Sequence, residues 1–301
     1  MKKILIPITA RPHLARQKLL IEELQKYFEV DLWQPKEQIG NMAVSAIFYT
    51  IEFNNYLNGN KYDAVIIRGD RYEMLGLAMI SLYRGLPIVH IEGGDVSGVV
   101  DGKVRHAITH LSDYHFCTNE ESHKRLIGMG MALDRIWNFG SLDVEFANKV
   151  EPKKLKDKPY LFVTYHPILD EDERELDEAL KTFTEYDIIR VGSNKDYGRE
   201  YGSEQYSPED YINLMRFADV CIGNSSSLIK ESSTLGVPVV LVGDRQKNRL
   251  LPKNVFSIPC ERENIIRAVS CQRQLPRYKP DPIYSKSNTS INICQTLKEI
   301  L

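Results

Sequence analysis

Two kinds of segment alternate along the chain: short runs of apolar, often β-branched residues, and longer stretches whose apolar residues recur every three or four positions. The short runs predict strands, and the longer stretches predict amphipathic helices. In the first half the predicted strands cover residues 2–9, 30–33, 62–68, 88–91, 113–117 and 136–139. The predicted helices cover 14–28, 37–58, 72–84, 119–130 and a segment that begins near Asp101. This alternation is typical of a parallel sheet with helices on both faces.

The second half repeats the alternation after a charged, proline-containing segment, residues 150–159, which we interpret as a linker. Its predicted strands cover residues 160–165, 186–191, 220–223, 237–242 and 255–259. A helix is expected from about residue 171 and a last one at 288–300. We therefore predict two Rossmann-like parallel-sheet α/β domains, residues 1–150 and 158–301, that face each other across a cleft. The last helix is a candidate to pack back on the first domain.

Composition narrows the class of protein without naming a function. A length of 301 residues fits two domains of roughly 150 residues each. The net charge of −2 gives no general electrostatic reason to bind nucleic acid. No apolar run approaches the roughly 20 residues that a membrane helix needs, and the brief apolar start is better explained as a strand than as a signal peptide. Five scattered cysteines without a C-x-x-C pair favour the cytoplasm over a disulfide framework.

Polar residues follow several predicted strands at the point where each strand ends. In parallel sheets ligands bind outside the carboxyl ends of the strands, so we expect these residues to form a site. The residues at these positions are Arg11, Asp70, Arg71 and Glu92 in the first half, and His166, the run from Gly223 to Ser227, Asp244 and Arg245 in the second. If the two sheets face each other, all of these groups line one cleft.

The segment from Pro87 to Phe116 carries the densest polar chemistry. A short apolar strand ends at Glu92-Gly93-Gly94-Asp95, and a small-residue loop leads to a helix with Asp101, Arg105 and His106. The glycines give the backbone the freedom that a ligand-wrapping loop needs. From the local pattern alone, an ordinary strand–turn–helix with solvated charges remains an equal alternative.

The three serines Ser225, Ser226 and Ser227 precede a helix predicted to begin near Leu228, and such a position can bind phosphate. A plain serine N-cap is the alternative. Glu231 is placed to accept hydrogen bonds from a ribose, and Arg245 to pair with a phosphate. The run matches neither a P-loop nor G-x-S-x-G, and no G-x-G-x-x-G follows any predicted strand. His106 and His110 have a metal-ligand spacing but no H-E-x-x-H pattern and no evident third ligand, so we predict no metal.

Three motifs together resemble the hydrolysing UDP-N-acetylglucosamine 2-epimerases of sialic-acid and related sugar pathways. They are RGDRYE at 68–73, GNSSSLIKE at 223–231, and HIEGGDVSG followed by Asp101 and RHAITHLSDYHF at 90–116. The resemblance runs through most of the chain in the same order. It implies a GT-B-like fold and a substrate that is UDP-N-acetylglucosamine or a close relative. It also implies release of UDP and a free N-acetylmannosamine-type sugar through a glycal, no redox cofactor, and a homodimer or homotetramer.

The same resemblance assigns roles to the strand-end residues. It implies that the catalytic residues are Asp70, Glu92, Asp101 and His166. It implies that the substrate-binding residues are Arg11, Arg71, Arg105, His106, Ser225, Ser226, Glu231 and Arg245. Carboxylates set close together are expected to raise the pKa of one of them.

The chain departs from the family pattern in ways that bear on the substrate. The distance from Arg11 to Gly69 is short for the family, which implies that a strand–helix unit is missing or shrunken. Leu228 and Leu142 replace a glycine and a proline of the family motifs. A different UDP-sugar, such as a 6-deoxy diacetamido sugar, is therefore an alternative substrate. A non-hydrolysing 2-epimerase, a glycosyltransferase on the same scaffold and a UDP-sugar-binding protein without catalysis are the alternative functions.

Overall fold

The computed structural model describes residues 1–9, 11–36, 41–167, 170–192 and 205–301, leaving aside the side chains of 11–13 and 170–172. The described residues divide into two units, Met1–Glu145 with Lys286–Leu301, and Phe146–Ser285. Each unit contains one parallel sheet with helices, so the predicted class of two parallel-sheet α/β domains is confirmed. The units divide between Glu145 and Phe146, a few residues before the predicted boundary at 150–158, and residues 286–301, which contain the last helix, belong to the first unit.

The sheet of the first unit has the strand order β2-β1-β3-β4-β5-β6, and every pair is parallel. Its strands are β1 Lys3–Pro7, β2 Glu29–Trp33, β3 Ala64–Arg68, β4 Ile88–Ile91, β5 Tyr114–Cys117 and β6 Ile136–Asn138. Its helices are α1 Arg11–Leu24, α2 Met42–Leu57, α3 Met74–Tyr83, α4 Asp101–Leu111, α5 Glu120–Gly128 and the start of α6 Leu142–Lys149.

The central strands of this sheet are apolar on both faces, which explains their continuous hydrophobic runs. Successive side chains of a strand point to opposite faces. Ile66 accordingly packs in one core cluster, while its neighbours Val65 and Ile67 pack in another. Helices therefore cover both faces, and the carboxyl ends of the strands are left for polar residues.

The sheet of the second unit has the order β11-β10-β9-β7-β8 and is parallel as well. Its strands are β7 Tyr160–Thr164, β8 Asp187–Arg190, β9 Val220–Gly223, β10 Val239–Val242 and β11 Val255–Ile258. Its helices are α7 Asp170–Leu180, α8 Pro208–Phe217, α9 Lys230–Leu235 and α10 Arg262–Gln272. Gly223 has φ 142°, and a Cβ there would lie 1.9 Å from the carbonyl oxygen of Thr164. Only glycine therefore allows the ends of β9 and β7 to lie so close.

The last helix, α11 Thr289–Ile300, packs on the first unit. The residues that it buries in the core beside α1 are Ile293, Cys294 and Leu297. The carboxylate of Glu145 accepts hydrogen bonds from the backbone nitrogen of Ser290 at 2.9 Å and from its hydroxyl at 3.0 Å. A carboxylate at this first turn is also favoured by the helix dipole. The spacing of apolar residues predicts this helix, but the choice of partner depends on contacts far away in the sequence.

Candidate active site

The sequence-predicted site residues lie at the carboxyl ends of neighbouring strands within each unit. Asp70 and Glu92 follow β3 and β4, which pair directly. In the second unit His166 follows β7, the Asn224–Ser226 segment follows β9, and Arg245 follows β10. The sheet topology thus gathers polar residues from separate parts of the sequence at one edge of each sheet.

A buried arginine, Arg68, links two carboxylates at the end of β3. Its Nε and Nη2 atoms donate to Oε1 of Glu92 at 3.2 and 2.7 Å, and Nη2 also donates to Oδ1 of Asp143 at 2.6 Å. Burial lowers the pKa of the Arg68 guanidinium, but Asp143 and Glu92 outweigh burial and hold that pKa above its ordinary value. The guanidinium is therefore charged, and it compensates both acids. Sequence reasoning missed Arg68 and Asp143, although a charged residue that ends the apolar run AVIIR was a signal.

The backbone at Glu92 is held in an unusual conformation. Its φ of 71° lies in the left-handed region, which costs a residue other than glycine about 1–3 kcal/mol. The Glu92 amide donates to the Phe116 carbonyl at 2.8 Å. Two residues later Gly94 has φ 78°, and a Cβ there would lie 2.5 Å from the carbonyl oxygen of Ser122. The turn is fixed by its neighbours, so the backbone sets the direction of the Cα–Cβ bond of Glu92.

Asp70 is paired with a second buried arginine. Arg105 on α4 donates from Nη2 to Oδ2 of Asp70. Burial lowers the pKa of Arg105, but Asp70, Asp95 and Glu92 raise it above its ordinary value. Its Nε and Nη1 atoms are buried and have no hydrogen-bond partner among the described residues. The family resemblance implies that Arg105 binds the substrate, and these two N–H donors are suited to a polar ligand.

His90 lies in β4, where it pairs with Ile67 of β3 and His115 of β5. Its Nε2 is 2.9 Å from the carbonyl oxygen of Gly69, the residue before Asp70. Complete burial lowers the pKa of His90 to about 3. The ring is therefore neutral, and Nε2–H donates to the Gly69 carbonyl. Its Nδ1 lies 3.2 Å from the Thr109 hydroxyl on α4, one turn from Arg105. His90 thus connects the backbone beside Asp70 to the helix that carries Arg105.

The other predicted residues of the first unit have local contacts. Arg71 donates from Nε to Oε1 of the buried Glu73 at 2.6 Å. Asp101 is the half-buried first residue of α4, where the helix dipole favours a carboxylate. Burial, followed by Arg105, lowers the pKa of the half-buried His106. The predicted roles of Arg71, Asp101 and His106 toward a substrate stay predictions. Arg11 begins α1, but its side chain lies outside the described residues.

Asn224 joins the three strand ends of the second unit. The His166 backbone nitrogen donates to Oδ1 of Asn224 at 2.7 Å, and Nδ2 of Asn224 donates to the His166 carbonyl at 2.9 Å. The Asn224 carbonyl accepts from Gln246 at 2.8 Å and from Arg245 at 3.2 Å. Sequence reasoning treated Asn224 only as part of the serine run. The structure shows that it fixes the backbone at His166 and the segment that carries Arg245.

The serine run forms a tighter turn than expected. Ser226–Leu228 is a 3₁₀ turn, and α9 begins at Lys230 rather than at Leu228 and has only six residues. The Ser225 hydroxyl accepts from the Ser227 nitrogen at 3.4 Å and from the Ser227 hydroxyl at 3.0 Å. Serine side chains compete for backbone N–H groups in this way, which favours a turn over a longer helix. Ser225 therefore has the capping role of the alternative interpretation, and anion binding by Ser225 and Ser226 stays a prediction. Glu231 is buried in the first turn of α9.

Two further findings concern the described part of the chain as a whole. No group of three or more His, Cys, Asp or Glu side chains is arranged there to hold a metal ion. No helix among the described residues combines the length and the apolar character needed to cross a membrane.

The sequence is similar to those of known proteins over most of its length. The sequence profile of the family described as UDP-N-acetylglucosamine 2-epimerase matches residues 13–298. The polysialic acid biosynthesis protein P7 of Escherichia coli is 31% identical over 83% of this chain and 73% of that protein. The UDP-N,N'-diacetylbacillosamine 2-epimerase (hydrolyzing) of Legionella pneumophila is 30% identical over 87% of this chain and 78% of that protein.

Among solved structures, the S. aureus MnaA–UDP co-structure has the same fold. It superimposes with a TM-score of 0.85 at 15% identity, covering 99% of this chain and 96% of that chain. At this identity the likeness shows the fold alone. The predicted loss of a strand–helix unit between Arg11 and Gly69 stays a prediction.

Proposed function

Because the chain belongs to the UDP-N-acetylglucosamine 2-epimerase family, we propose that it hydrolyses a UDP-2-acetamido sugar with inversion at C2. The products are UDP and the free sugar of the opposite C2 configuration. One observation carries the proposal: two carboxylates, Asp70 and Glu92, end neighbouring strands, and each is bonded to a buried arginine. The Legionella relative, named as a hydrolysing enzyme, supports hydrolysis over release of a UDP-linked epimer.

The chemical problem is a C2 proton that no carbonyl acidifies. Cleavage of the bond between C1 and the diphosphate oxygen builds positive charge at C1, which makes the C2 proton removable. A carboxylate takes that proton and UDP leaves with the bonding electrons, giving a C1–C2 glycal. Water then adds its oxygen to C1, and a proton is returned to C2 from the opposite face. The sequence needs at least two acid/base groups and stabilisation of the departing diphosphate.

The first unit supplies the acid/base groups in this proposal. Asp70, Glu92 and Asp101 share proton transfer at C2 and activation of water. The buried guanidinium groups of Arg68 and Arg105 hold the carboxylates of Glu92 and Asp70 through charge-assisted hydrogen bonds. A proton acceptor that is ionised and held in one direction needs little reorganisation when the substrate arrives.

The second unit supplies groups for the nucleotide. Arg245 pairs with the diphosphate, Ser225 and Ser226 donate to it, and Glu231 binds the ribose. His166 assists departure of the diphosphate or positions it. The support for this assignment is local geometry: Asn224 bonds both the His166 backbone and the segment of Arg245. Arg11 and Arg71 complete the predicted set of cations for the substrate.

The sugar is the open part of the proposal, and we propose UDP-N-acetylglucosamine or a 2,4-diacetamido-6-deoxy relative. Both carry a diphosphate at C1 and a proton at C2, which the mechanism needs, and the Legionella relative is named for the second. Incubation of the protein with each nucleotide sugar, followed by phosphorus NMR, distinguishes the candidates. Free UDP from one substrate, at a rate at least tenfold above the other, identifies the sugar.

The same spectra separate the alternatives. A UDP-linked epimer without free UDP indicates the non-hydrolysing reaction. Release of UDP that depends on an added sugar acceptor indicates a glycosyltransferase. Neither product, with UDP bound, indicates a binding protein and contradicts the proposal for both sugars.

We also propose that the chain assembles with copies of itself and works in the cytoplasm. No disulfide joins two of the described cysteines, as expected in a reducing compartment. Helix α2 buries one face and exposes apolar side chains on the other; Ile47 is 61% exposed and Ile51 is 54% exposed. The one charged residue of α2 is the half-buried Glu52, so a second copy would meet little like-charge repulsion there. Light scattering should show a dimer or tetramer that Ile51→Glu weakens and the control Lys124→Glu on α5 does not. A monomeric wild-type protein would contradict the assembly.

A further inference from the structure

The buried cluster around Arg68 contains more charge than the packing of the first unit requires. Arg68 has 5% and Asp143 3% of its side chain exposed, and Glu92 has 10%. Taking such charges out of water is costly, and apolar residues of similar volume often stabilise a core as well or better. A buried triad of this kind is therefore weak evidence for a purely stabilising role. Its contact with a carboxylate of the candidate site points to a role in the chemistry.

The hydrogen bonds show how the cluster acts on Glu92. Two guanidinium N–H groups of Arg68 converge on a single oxygen, Oε1 of Glu92, which holds that oxygen in place. The Nη2 atom is shared, because Asp143 Oδ1 lies 2.6 Å from it while Glu92 Oε1 lies 2.7 Å from it. Asp143 in turn lies 3.8 Å from Nε of Arg16 on α1. Two acids thus compete for one cation.

We propose that Arg68 and Asp143 are positioning residues that act on Glu92 in opposite directions. Arg68 aims the carboxylate and favours its charged form. Asp143 withdraws part of the guanidinium from Glu92 and repels its negative charge, which keeps Glu92 a stronger proton acceptor than a carboxylate with an arginine to itself. The inference rests on the proposed function only in giving Glu92 a share of the proton transfer at C2.

The other charged and titratable groups near the cluster are the same in the wild-type protein and in the Arg68 and Asp143 variants that test the proposal. His90 is neutral because burial lowers its pKa to about 3. Arg105 interacts with Glu92 from α4 and is shared with Asp70 and Asp95. Among the described residues, the groups near Glu92 include Arg68 on β3, His90 on β4, Arg105 on α4 with its acids Asp70 and Asp95, and Asp143 on α6 with Arg16 on α1. Only Arg68 and Asp143 change in the test.

The test measures the Glu92 carboxylate directly. Carbon NMR of protein labelled with ¹³C at the glutamate carboxyl follows its titration, with the signal assigned by its loss in Glu92→Gln. Asp143→Asn should lower the proton affinity of Glu92 about threefold or more, and Arg68→Gln should raise it about tenfold or more. The controls are Arg84→Lys, at the exposed end of α3, and Asp134→Asn, on an exposed turn. Both should leave the titration unchanged.

Opposite shifts in the proton affinity of Glu92 distinguish a positioning role from a structural one. Shifts in the same direction, or no shift in Asp143→Asn, would overturn the proposal, and the second outcome decides it even if Arg68→Gln fails to fold. The wild-type titration also tests whether Glu92 is the carboxylate with the raised pKa expected from the sequence.

Turnover gives an independent measure. With an active substrate, Asp143→Asn should lower kcat and move the acidic limb of kcat to lower pH, with KM changed less than twofold. Arg68→Lys should recover part of the activity that Arg68→Gln loses. If the wild-type protein turns over no UDP-sugar, the proposed function fails, while the NMR titration still decides the roles of Arg68 and Asp143.

Discussion

The two units have the same architecture but opposite chemistry at their strand ends. In the first unit the residues after β3 and β4 are acids held by buried arginines, as in the pairs Glu92–Arg68 and Asp70–Arg105. In the second unit the residues after β7 and β9 are held by neutral hydrogen bonds, as between Asn224 and the backbone of His166. In both units the sheet places these residues at the carboxyl ends of neighbouring strands, and the side chains determine the chemistry there.

This difference indicates which property each unit needs for its proposed role. Proton transfer requires carboxylates whose charge and direction are set in advance, which buried cations accomplish. Binding a nucleotide requires a fixed shape with N–H and hydroxyl groups at set positions, which amide and serine contacts provide through neutral hydrogen bonds. Substitutions in the first unit should therefore act mainly on kcat, and those in the second mainly on binding.

The largest effect is expected from Glu92→Gln. The amide keeps the volume of the side chain but cannot accept a proton, so kcat should fall by about 10²–10⁴-fold. UDP affinity should stay within twofold, because in the proposal the second unit binds the nucleotide. Turnover and calorimetric titration with UDP measure the two quantities. A loss of UDP affinity in parallel with kcat would contradict the proposed division of roles between the two units.

Acid should destabilise the first unit through its buried histidines. Burial lowers the pKa of His90 to about 3 and the pKa of His115 to about 4. The unfolded chain binds these protons near pH 6.5, so the free energy of unfolding falls as pH drops below 6.5, and the loss continues down to about pH 3–4. Each histidine contributes up to about 1.4 kcal/mol per pH unit in that window.

Urea unfolding from pH 4 to 7 measures this dependence. His90→Gln should reduce the slope of unfolding free energy against pH by one proton, whereas His110→Gln, at an exposed position of α4, should not. An unchanged slope in His90→Gln would mean that the ring is not buried in its neutral form.

Asn224→Ala should have a smaller effect, and on binding rather than on kcat. The substitution leaves the amide and carbonyl of His166 without their partner, which costs about 1–3 kcal/mol when the groups are buried. UDP affinity should fall about tenfold and the unfolding midpoint should drop. Asn264→Ala, at a half-buried position of α10 where the amide donates to the exposed Glu261, is the matched control. A fall in kcat without weaker UDP binding would contradict the role given to the second unit.

The smallest effect is expected from an ion pair that water reaches. Arg190 and Asp177 form a pair in the second unit with about a third of each side chain exposed. Arg190→Met should change the free energy of unfolding by less than about 1 kcal/mol, because solvent and salt screen such pairs. A larger loss would show that burial is not what distinguishes the arginines of the first unit.

Much of the fold could be predicted from the sequence because its signals are local. Strands buried on both faces appear as continuous apolar runs, as in AVIIR and VVLV, and the polar residues that follow them mark the strand ends. This pattern predicts that Asp70, Glu92 and His166 each follow the end of a strand. The predicted helix start at Leu228 missed by two residues because three consecutive serines favour a turn.

What the sequence did not reveal depends on contacts between distant segments. Asp143 is 75 positions from Arg68, and no local sequence pattern near either residue predicts that they form a pair. The position of α11 on the first unit likewise depends on Glu145 and Ser290, which are 145 positions apart. Asn224 was visible in its motif, but its bonds to the backbone of His166 required the register of β9 beside β7.

The most direct test of the central claim is proton NMR of the turnover in deuterated water. The protein is incubated with UDP-N-acetylglucosamine and, separately, with the diacetamido relative. The account predicts free sugar of inverted configuration that carries deuterium at C2, formed together with UDP. Free sugar that retains hydrogen at C2, or retains the original configuration, would contradict proton transfer at C2 by the carboxylates of the first unit.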